Sequence, residues 1–378
     1  MKVLLTGPFG NVGSNLVEYV LQCNSALGRN DHPDRILLTC LDKKSPMTES
    51  SFAALEHSEL GQTALSDGSL VVIWGDLTSP DDVKQAVAGQ HAVIHLAAVI
   101  PPLAYLKPDL ARKVNVDATR LLMETCNSQP KPPRFIYASS YSVFGPSNPH
   151  KNPPLRTSDT PINPQDAYGL QKAECEQFIR SEYLGEWAIL RIGAVSVTVA
   201  QVKKVSQDKI TKLMTNVLPD EQHRHGVHSK DVARAFANAA RSDKVNGKTL
   251  LIGGDDSWKM SAIEFTSTIM GALGLTSSKL ASRRPPVDKD DAYYYEEWMD
   301  TTETQQLLDF QKHTKQQWIK ELRAEVNPFQ RLLIRALSPI IASSMAKASP
   351  HYKYNINSKL VDPQAAKTFL ELLNEELA

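Results

Sequence analysis

The first thirteen residues pass from the apolar run Val3, Leu4, Leu5 through Thr6 into Gly7, Gly10 and Gly13, spaced three apart, and a helical pattern opens at Asn11. A short continuous apolar run suits a parallel strand buried on both faces. Gly7 can make the tight turn at its end, the bare Cα of Gly10 lets backbone N–H groups approach a diphosphate, and Gly13 lets the helix pack close on the strand. Phe9, Asn11 and Val12 complete this candidate cofactor loop.

The pattern then repeats. Apolar runs at 36–41, 70–74, 92–96, 135–139 and 188–192 alternate with helical segments near 52–64, 80–88, 108–127 and 164–183. Such alternation predicts an α/β fold, a Rossmann-type doubly wound parallel sheet with helices on both faces. Residues 1–190 are expected to form the dinucleotide-binding domain, with 228–255 returning to the sheet. A smaller, mostly helical, discontinuous substrate-side domain is expected from 191–227 and 256–325, and a helical C-terminal extension from 326–378. A helix is expected from Ser261, with Glu264 at the capping-box position, to about Leu273.

Charge narrows the choice of partner. Lys+Arg and Asp+Glu are both 42 among 378 residues, so no overall field draws the chain to nucleic acid. Met1 abuts the first strand, and no leader or membrane-spanning segment is expected. Cys23, Cys40, Cys126 and Cys175 show no CxxC spacing; they read as buried free thiols, which fits a reducing, cytoplasmic setting. His223, His225 and His228 have no accompanying carboxylate or cysteine spacing, and no metal is expected.

The second run ends in Asp42, where a dinucleotide fold reads the adenosine ribose. A carboxylate there accepts from both hydroxyls and repels a 2′-phosphate, favouring NAD. Lys43 and Lys44 follow and could instead welcome that phosphate, which keeps NADP open. Asp76 and Leu77 close the third strand, the carboxylate reaching the adenine or capping the next helix. Ala97 and Ala98 close the fourth with the small residues needed where a cofactor crosses the sheet. Tyr168 and Lys172, four apart, share one helix face. An ammonium and a nicotinamide cation nearby would lower the phenol pKa and make Tyr168 usable as acid or base, with Ser140 bonding the reacting oxygen.

In order along the chain stand TGPFGNVG (Thr6 to Gly13), Asp42, GDL (Gly75 to Leu77), HLAA (His95 to Ala98), VNVDAT (Val114 to Thr119), SSYSVFG (Ser139 to Gly145), YGLQK (Tyr168 to Lys172) and HSKDVARAF (His228 to Phe236). This set resembles the extended short-chain dehydrogenase/reductase family, also called the NAD-dependent epimerase/dehydratase family. The resemblance implies a Ser140, Tyr168, Lys172 catalytic triad. It further implies that Lys172 holds the nicotinamide ribose, that Asn115 lies at the active-site end of its helix, and that Asp42 and Asp76 bind the adenosine half. It prefers Ser140 to Ser139 because the family's catalytic hydroxyl stands four residues before the aromatic of an aromatic-Gly pair, here Phe144-Gly145.

Departures from the family narrow the reaction. Its dehydratases follow the catalytic hydroxyl with Asp and Glu; here Tyr141 and Ser142 stand there, which argues against water elimination. Arg191-Ile192-Gly193-Ala194 resembles the branch acting on free sugar acids rather than sugar nucleotides, and the stretch from Gly193 to His228 is short for a nucleotide-diphosphate pocket. Tyr141 and Arg224 are candidate substrate contacts, Arg224 being either an anion clamp or a solvated charge. The expected activity is NAD-dependent interconversion of a secondary alcohol and a ketone on a small polar substrate. An epimerase working through a transient ketone, or a silent dinucleotide sensor, remains open.

Tyr293, Tyr294 and Tyr295 could form a substrate wall or pack the C-terminal region. The segment 327–347 is amphipathic and interrupted by Pro339; it is expected to cover its own protein rather than lie on a membrane, and it could instead join two subunits of a homodimer. Asp362-Pro363 is expected to start a final helix.

Overall fold

A computed structural model describes residues 1–28, 32–199, 201, 218–276, 281–357 and 359–377. The strands are β1 (Lys2–Thr6), β2 (Leu37–Asp42), β3 (Leu70–Trp74), β4 (Ala92–His95), β5 (Arg134–Ser140), β6 (Trp187–Ile192), β7 (Ala194–Val195), β8 (His223–Val227), β9 (Lys248–Ile252) and β10 (Lys259–Ser261). Seven of them form one parallel sheet in the order β3-β2-β1-β4-β5-β6-β9, and β10-β8-β7 form a small second sheet.

Each strand of the large sheet feeds two cores, because successive side chains point to opposite faces. Val3, Leu5, Ile136, Ala138, Ala188 and Leu190 face the helices Asn11–Ala26 and Ser229–Arg241, where Leu16, Val17, Val20, Val232 and Phe236 are buried. Leu4, Val93, Phe135, Tyr137 and Ile189 face the opposite layer, filled by Val83, Leu122, Met123, Phe178 and Ile179 from helices Pro80–Val87, Ala118–Asn127 and Ala167–Glu182. The central strands therefore need apolar residues at successive positions, whereas the edge strand β3 leaves Val71 48% exposed.

Several local expectations are corrected. The single helix read at 52–64 is two, Pro46–Glu56 and Glu59–Ser66, because Ser45 and Ser58 each cap a new start. The helix read at 108–127 is broken by a π-helical turn, Lys113–Asp117. The final helix begins at Phe369, not Asp362: the Asp362 carboxylate is taken by His351 at 2.7 Å and by the Gln364 N–H at 2.9 Å. Helix Pro328–Ala348 runs unbroken through Pro339, which is exposed, so water can reach the carbonyl left without its helical donor. This helix does not cover its own protein with its apolar face: its buried residues are Ser338 and Ala346, while Phe329, Leu332 and Ile340 are exposed. No helix among the described residues is long and apolar enough to cross a membrane.

Candidate active site

The parallel register brings the carboxyl ends of β1, β2, β4 and β5 to one edge of the sheet. Gly7 turns off β1 at φ +68°, and a Cβ there would stand 3.0 Å from the Ala97 backbone. At Gly13 a Cβ would stand 2.1 Å from the Gly7 carbonyl oxygen. Gly10 differs: the nearest atom to its Cβ would be 3.6 Å away, so packing alone does not demand glycine. It caps helix Asn11–Ala26 without a capping side chain, and the first turn holds no acidic residue. The positive end of the helix is left for an external anion, and this cradle fits a dinucleotide diphosphate. Asn11 reaches sideways, its amide donating to the Ser196 carbonyl at 3.0 Å.

At the adenosine end, the Asp42 carboxylate accepts from the Phe9 N–H at 3.2 Å and from the Lys43 N–H at 2.9 Å. Burial pushes its carboxyl above the usual range. Phe9 stacks on Trp74 at 5.3 Å and meets the edge of Phe52. Lys43 is not free for a 2′-phosphate: its ammonium bonds Asp76 at 2.7 Å, and that hydrogen bond brings the Asp76 carboxyl down to about 2. The other Asp76 oxygen accepts from the Thr78 N–H and hydroxyl, both at 2.9 Å. Lys44 lies over the Trp74 ring at 5.7 Å.

Beyond β4 the Asn115 amide clamps the chain, its oxygen accepting from the Val99 N–H at 2.7 Å and its nitrogen donating to the Val99 carbonyl at 2.9 Å. The same nitrogen donates to Gln171 at 2.8 Å, tying this loop to the helix that carries Tyr168. Below it, His95 joins Thr6 at 2.7 Å and Thr119 at 2.8 Å. Burial brings the His95 pKa down to about 3, so the imidazole is a neutral brace at physiological pH.

Ser140, Tyr168 and Lys172 converge at the end of β5. Ser140 Oγ accepts from the Ser142 N–H at 3.2 Å, and the Ser140 hydroxyl lies near enough to the Tyr168 phenol to favour its ionised form. Ser139 points the other way and donates at 2.6 Å to Glu176, which Arg191 grips at 2.8 and 2.9 Å. Lys172 Nζ donates to the Ala138 carbonyl at 2.7 Å and sits 5.7 Å from the Tyr168 ring centroid. Burial brings the Lys172 pKa down to about 8. The Tyr168 phenol is pushed up, first by burial and then by Asp166, against the lowering by Ser140. In the cofactor-free protein burial of the phenol dominates; the expected lowering rested on the nicotinamide cation as well as on the Lys172 ammonium.

Arg224 is neither a solvated charge nor an open anion clamp. Its guanidinium forks onto Glu296 at 2.5 and 2.9 Å and lies over the Phe265 ring at 4.8 Å. The buried Tyr141, whose phenol is pushed well above its usual value by burial and by the nearby Glu296 carboxylate, has its ring edge-on to Tyr295 at 5.6 Å. Tyr294 and Tyr295 rings meet at 3.8 Å, tilted by 34°, in the same apolar cluster as Tyr105, Tyr141 and Tyr168. A cavity of about 370 Å³ opens beside them, lined by Gly145, Asn163, Asp166, Tyr294, Tyr295 and Leu370. The three histidines are scattered: His223 bonds Glu297, His225 bonds Gly254 and His228 bonds Glu321. Half of the stretch between Gly193 and His228, at 200 and 202–217, lies outside the described residues.

Two positioning residues escaped the sequence reading. Asp166 caps the helix of Tyr168, accepting from the N–H groups of Tyr168 and Gly169 and from the Tyr105 hydroxyl, all at 3.0 Å. An Asp one residue before a helix is a readable cap. Glu176 could have been found as the next turn of the Tyr168, Lys172 face.

The sequence pattern of the NAD dependent epimerase/dehydratase family matches residues 3–253. A D-erythronate dehydrogenase of Cupriavidus necator is 35% identical over 203 residues, covering 52% of this chain and 56% of that protein. Another from Haemophilus influenzae is 26% identical over 225 residues, covering 58% and 63%. Human 3 beta-hydroxysteroid dehydrogenase type 7 is 29% identical over 187 residues, covering 50% and 43%. The chain thus matches less than two thirds of the length of these relatives. Among solved structures, UDP-glucuronic acid 4-epimerase from Bacillus cereus, in complex with UDP-glucuronic acid and NAD, superposes with a TM-score of 0.65 at 20% identity, covering 86% of this chain and 100% of that one. That likeness is one of fold.

Proposed function

Because the chain belongs to the NAD dependent epimerase/dehydratase family, we propose that it interconverts a secondary alcohol and a ketone on a small polar substrate, a hydroxy acid first among the candidates. The convergence of Ser140, Tyr168 and Lys172 on the sheet edge that carries the glycine cradle is the observation that supports this most directly. NAD, when bound, supplies the hydride acceptor or donor.

The chain's own residues would do the rest. Gly7, Gly10 and Gly13 leave room for the diphosphate at the start of helix Asn11–Ala26, and Asp42, beside Phe9 and Trp74, would take the adenosine ribose. Ser140 would hold the substrate oxygen, and Tyr168 Oη, beside Ser140, would take or return its proton. Lys172 would hold the nicotinamide ribose and set the charge beneath the phenol. Asn115 and Asp166 would act as positioning residues, the first fixing the loop at Val99 and the second the start of the Tyr168 helix. The acids needed for dehydration are missing: Tyr141 and Ser142 stand there, and both are buried.

A screen of free sugar acids, simple sugars and sugar nucleotides, read at the NADH absorbance band with wild type and Tyr168→Phe, tests this reading. Absorbance should rise with hydroxy acids for the wild type alone. Epimer exchange with no net NADH would favour the epimerase, and unimpaired turnover by Tyr168→Phe on an authentic substrate would overturn the proton route.

A further inference from the structure

Helix Pro328–Ala348 meets the protein along one side, where Ser338 and Ala346 are buried and Arg331, Ile334, Ile341 and Ala342 are half-buried. Ser338 Oγ accepts from the Thr276 N–H at 2.7 Å, and the Arg331 carbonyl lies against Gly274. At 100° per residue the opposite side is a single apolar stripe of Phe329, Leu332, Leu333, Leu337 and Ile340, exposed by 51 to 71%. Side chains of this kind grouped on one solvent-facing helix stripe mark an interaction surface. Downstream, Ile356, Leu360 and Val361 are exposed as well.

Charge identifies the partner. From Asn327 to Val361 the chain carries Arg331, Arg335, Lys347, Lys353 and Lys359 and no Asp or Glu, within a protein whose acids and bases balance at 42 each. Lys347 and Lys353 line a surface cavity of about 450 Å³ with Ser349, Tyr352 and Tyr354, and neither is ion-paired among the described residues. We propose that this segment is an interfacial anchor for an anionic bilayer surface. The stripe would lie at the boundary of headgroups and acyl chains, and Lys347 and Lys353 would take a lipid phosphate. A helix with an apolar side and only cationic charges matches that boundary, and this one cannot cross it.

The test is cosedimentation of the full chain with phosphatidylcholine vesicles, with or without phosphatidylserine, at low and high salt. Binding should require phosphatidylserine and weaken with salt. Lys347→Gln with Lys353→Gln should lower partitioning roughly fivefold per charge removed. Leu333→Asp with Ile340→Asp should abolish it, with the cofactor-free melting temperature unchanged, since both side chains are exposed. A wild type that stays in the supernatant with every vesicle overturns the proposal, as does wild-type binding by the aspartate variant. A dimer in sedimentation velocity that those aspartates dissociate would assign the stripe to a second copy instead.

Discussion

Arg224 and Glu296, 72 residues apart, form a two-pronged ion pair whose side chains are 12% and 7% exposed. Removing one partner strands the other, so Arg224→Met or Glu296→Gln should each cost about 3–5 kcal/mol in chemical denaturation. Arg224→Met combined with Glu296→Leu should recover much of that loss. If each single variant were as stable as wild type, the pair would be no more than a surface contact.

Gly10 and Gly13 separate folding from binding. Gly13→Ala drives a methyl group to 2.1 Å from the Gly7 carbonyl oxygen, so thermal stability and NAD affinity should fall together. Gly10→Ala meets no atom within 3.5 Å and needs no unusual backbone angle, so the melting temperature should hold while NAD affinity drops. Isothermal titration beside thermal melts distinguishes the two; a Gly10→Ala variant with full affinity would remove this glycine from the diphosphate path.

Cofactor choice turns on the pair between Lys43 and Asp76. Wild type should be stabilised more by NADH than by NADPH at equal concentration, since ligand stabilisation follows the logarithm of concentration over dissociation constant. Asp76→Asn frees Lys43 for a 2′-phosphate and should raise the NADPH shift. Asp42→Ala should lower the NADH shift. Unchanged preference in both variants would place discrimination elsewhere.

Lys172 gives the folded protein a defined alkaline signature. Its pKa is brought down from 10.5 to about 8, so between those values the unfolded chain holds a proton that the folded chain has released. Stability from this group therefore rises with pH across that window, and below about 8 the cost of burying the ammonium is fully present. The stability difference, Lys172→Met minus wild type, should fall as pH is raised from 8 to 10.5 in cofactor-free protein. A flat difference would mean that the ammonium is hydrated in the folded state.

What could be read beforehand follows from the range of the forces involved. Val3 to Leu5 and the later apolar runs announced the parallel sheet because strands buried on both faces tolerate little else. The glycine loop and the four-residue interval from Tyr168 to Lys172 were equally local. Arg224 was misjudged because its partner lies 72 residues away, and Asp362 because the partner of a good cap, His351, outbid the helix. The burial that pushes the Tyr168 phenol up in the cofactor-free protein could not be read from spacing, since it depends on Tyr105, Tyr294 and Tyr295 arriving from distant segments.

The wide turn at Lys113–Asp117 leaves the Asn115 carbonyl accepting from the Thr119 hydroxyl at 2.7 Å and the Cys175 thiol at 3.1 Å. A turn of this type behaves as one extra residue absorbed into a helix. Helices on either side can keep their faces against the sheet whether or not the extra residue is there. Chain length thus becomes a control distinct from residue identity: trimming this turn by one would preserve the scaffold while withdrawing the Asn115 amide from Val99 and Gln171.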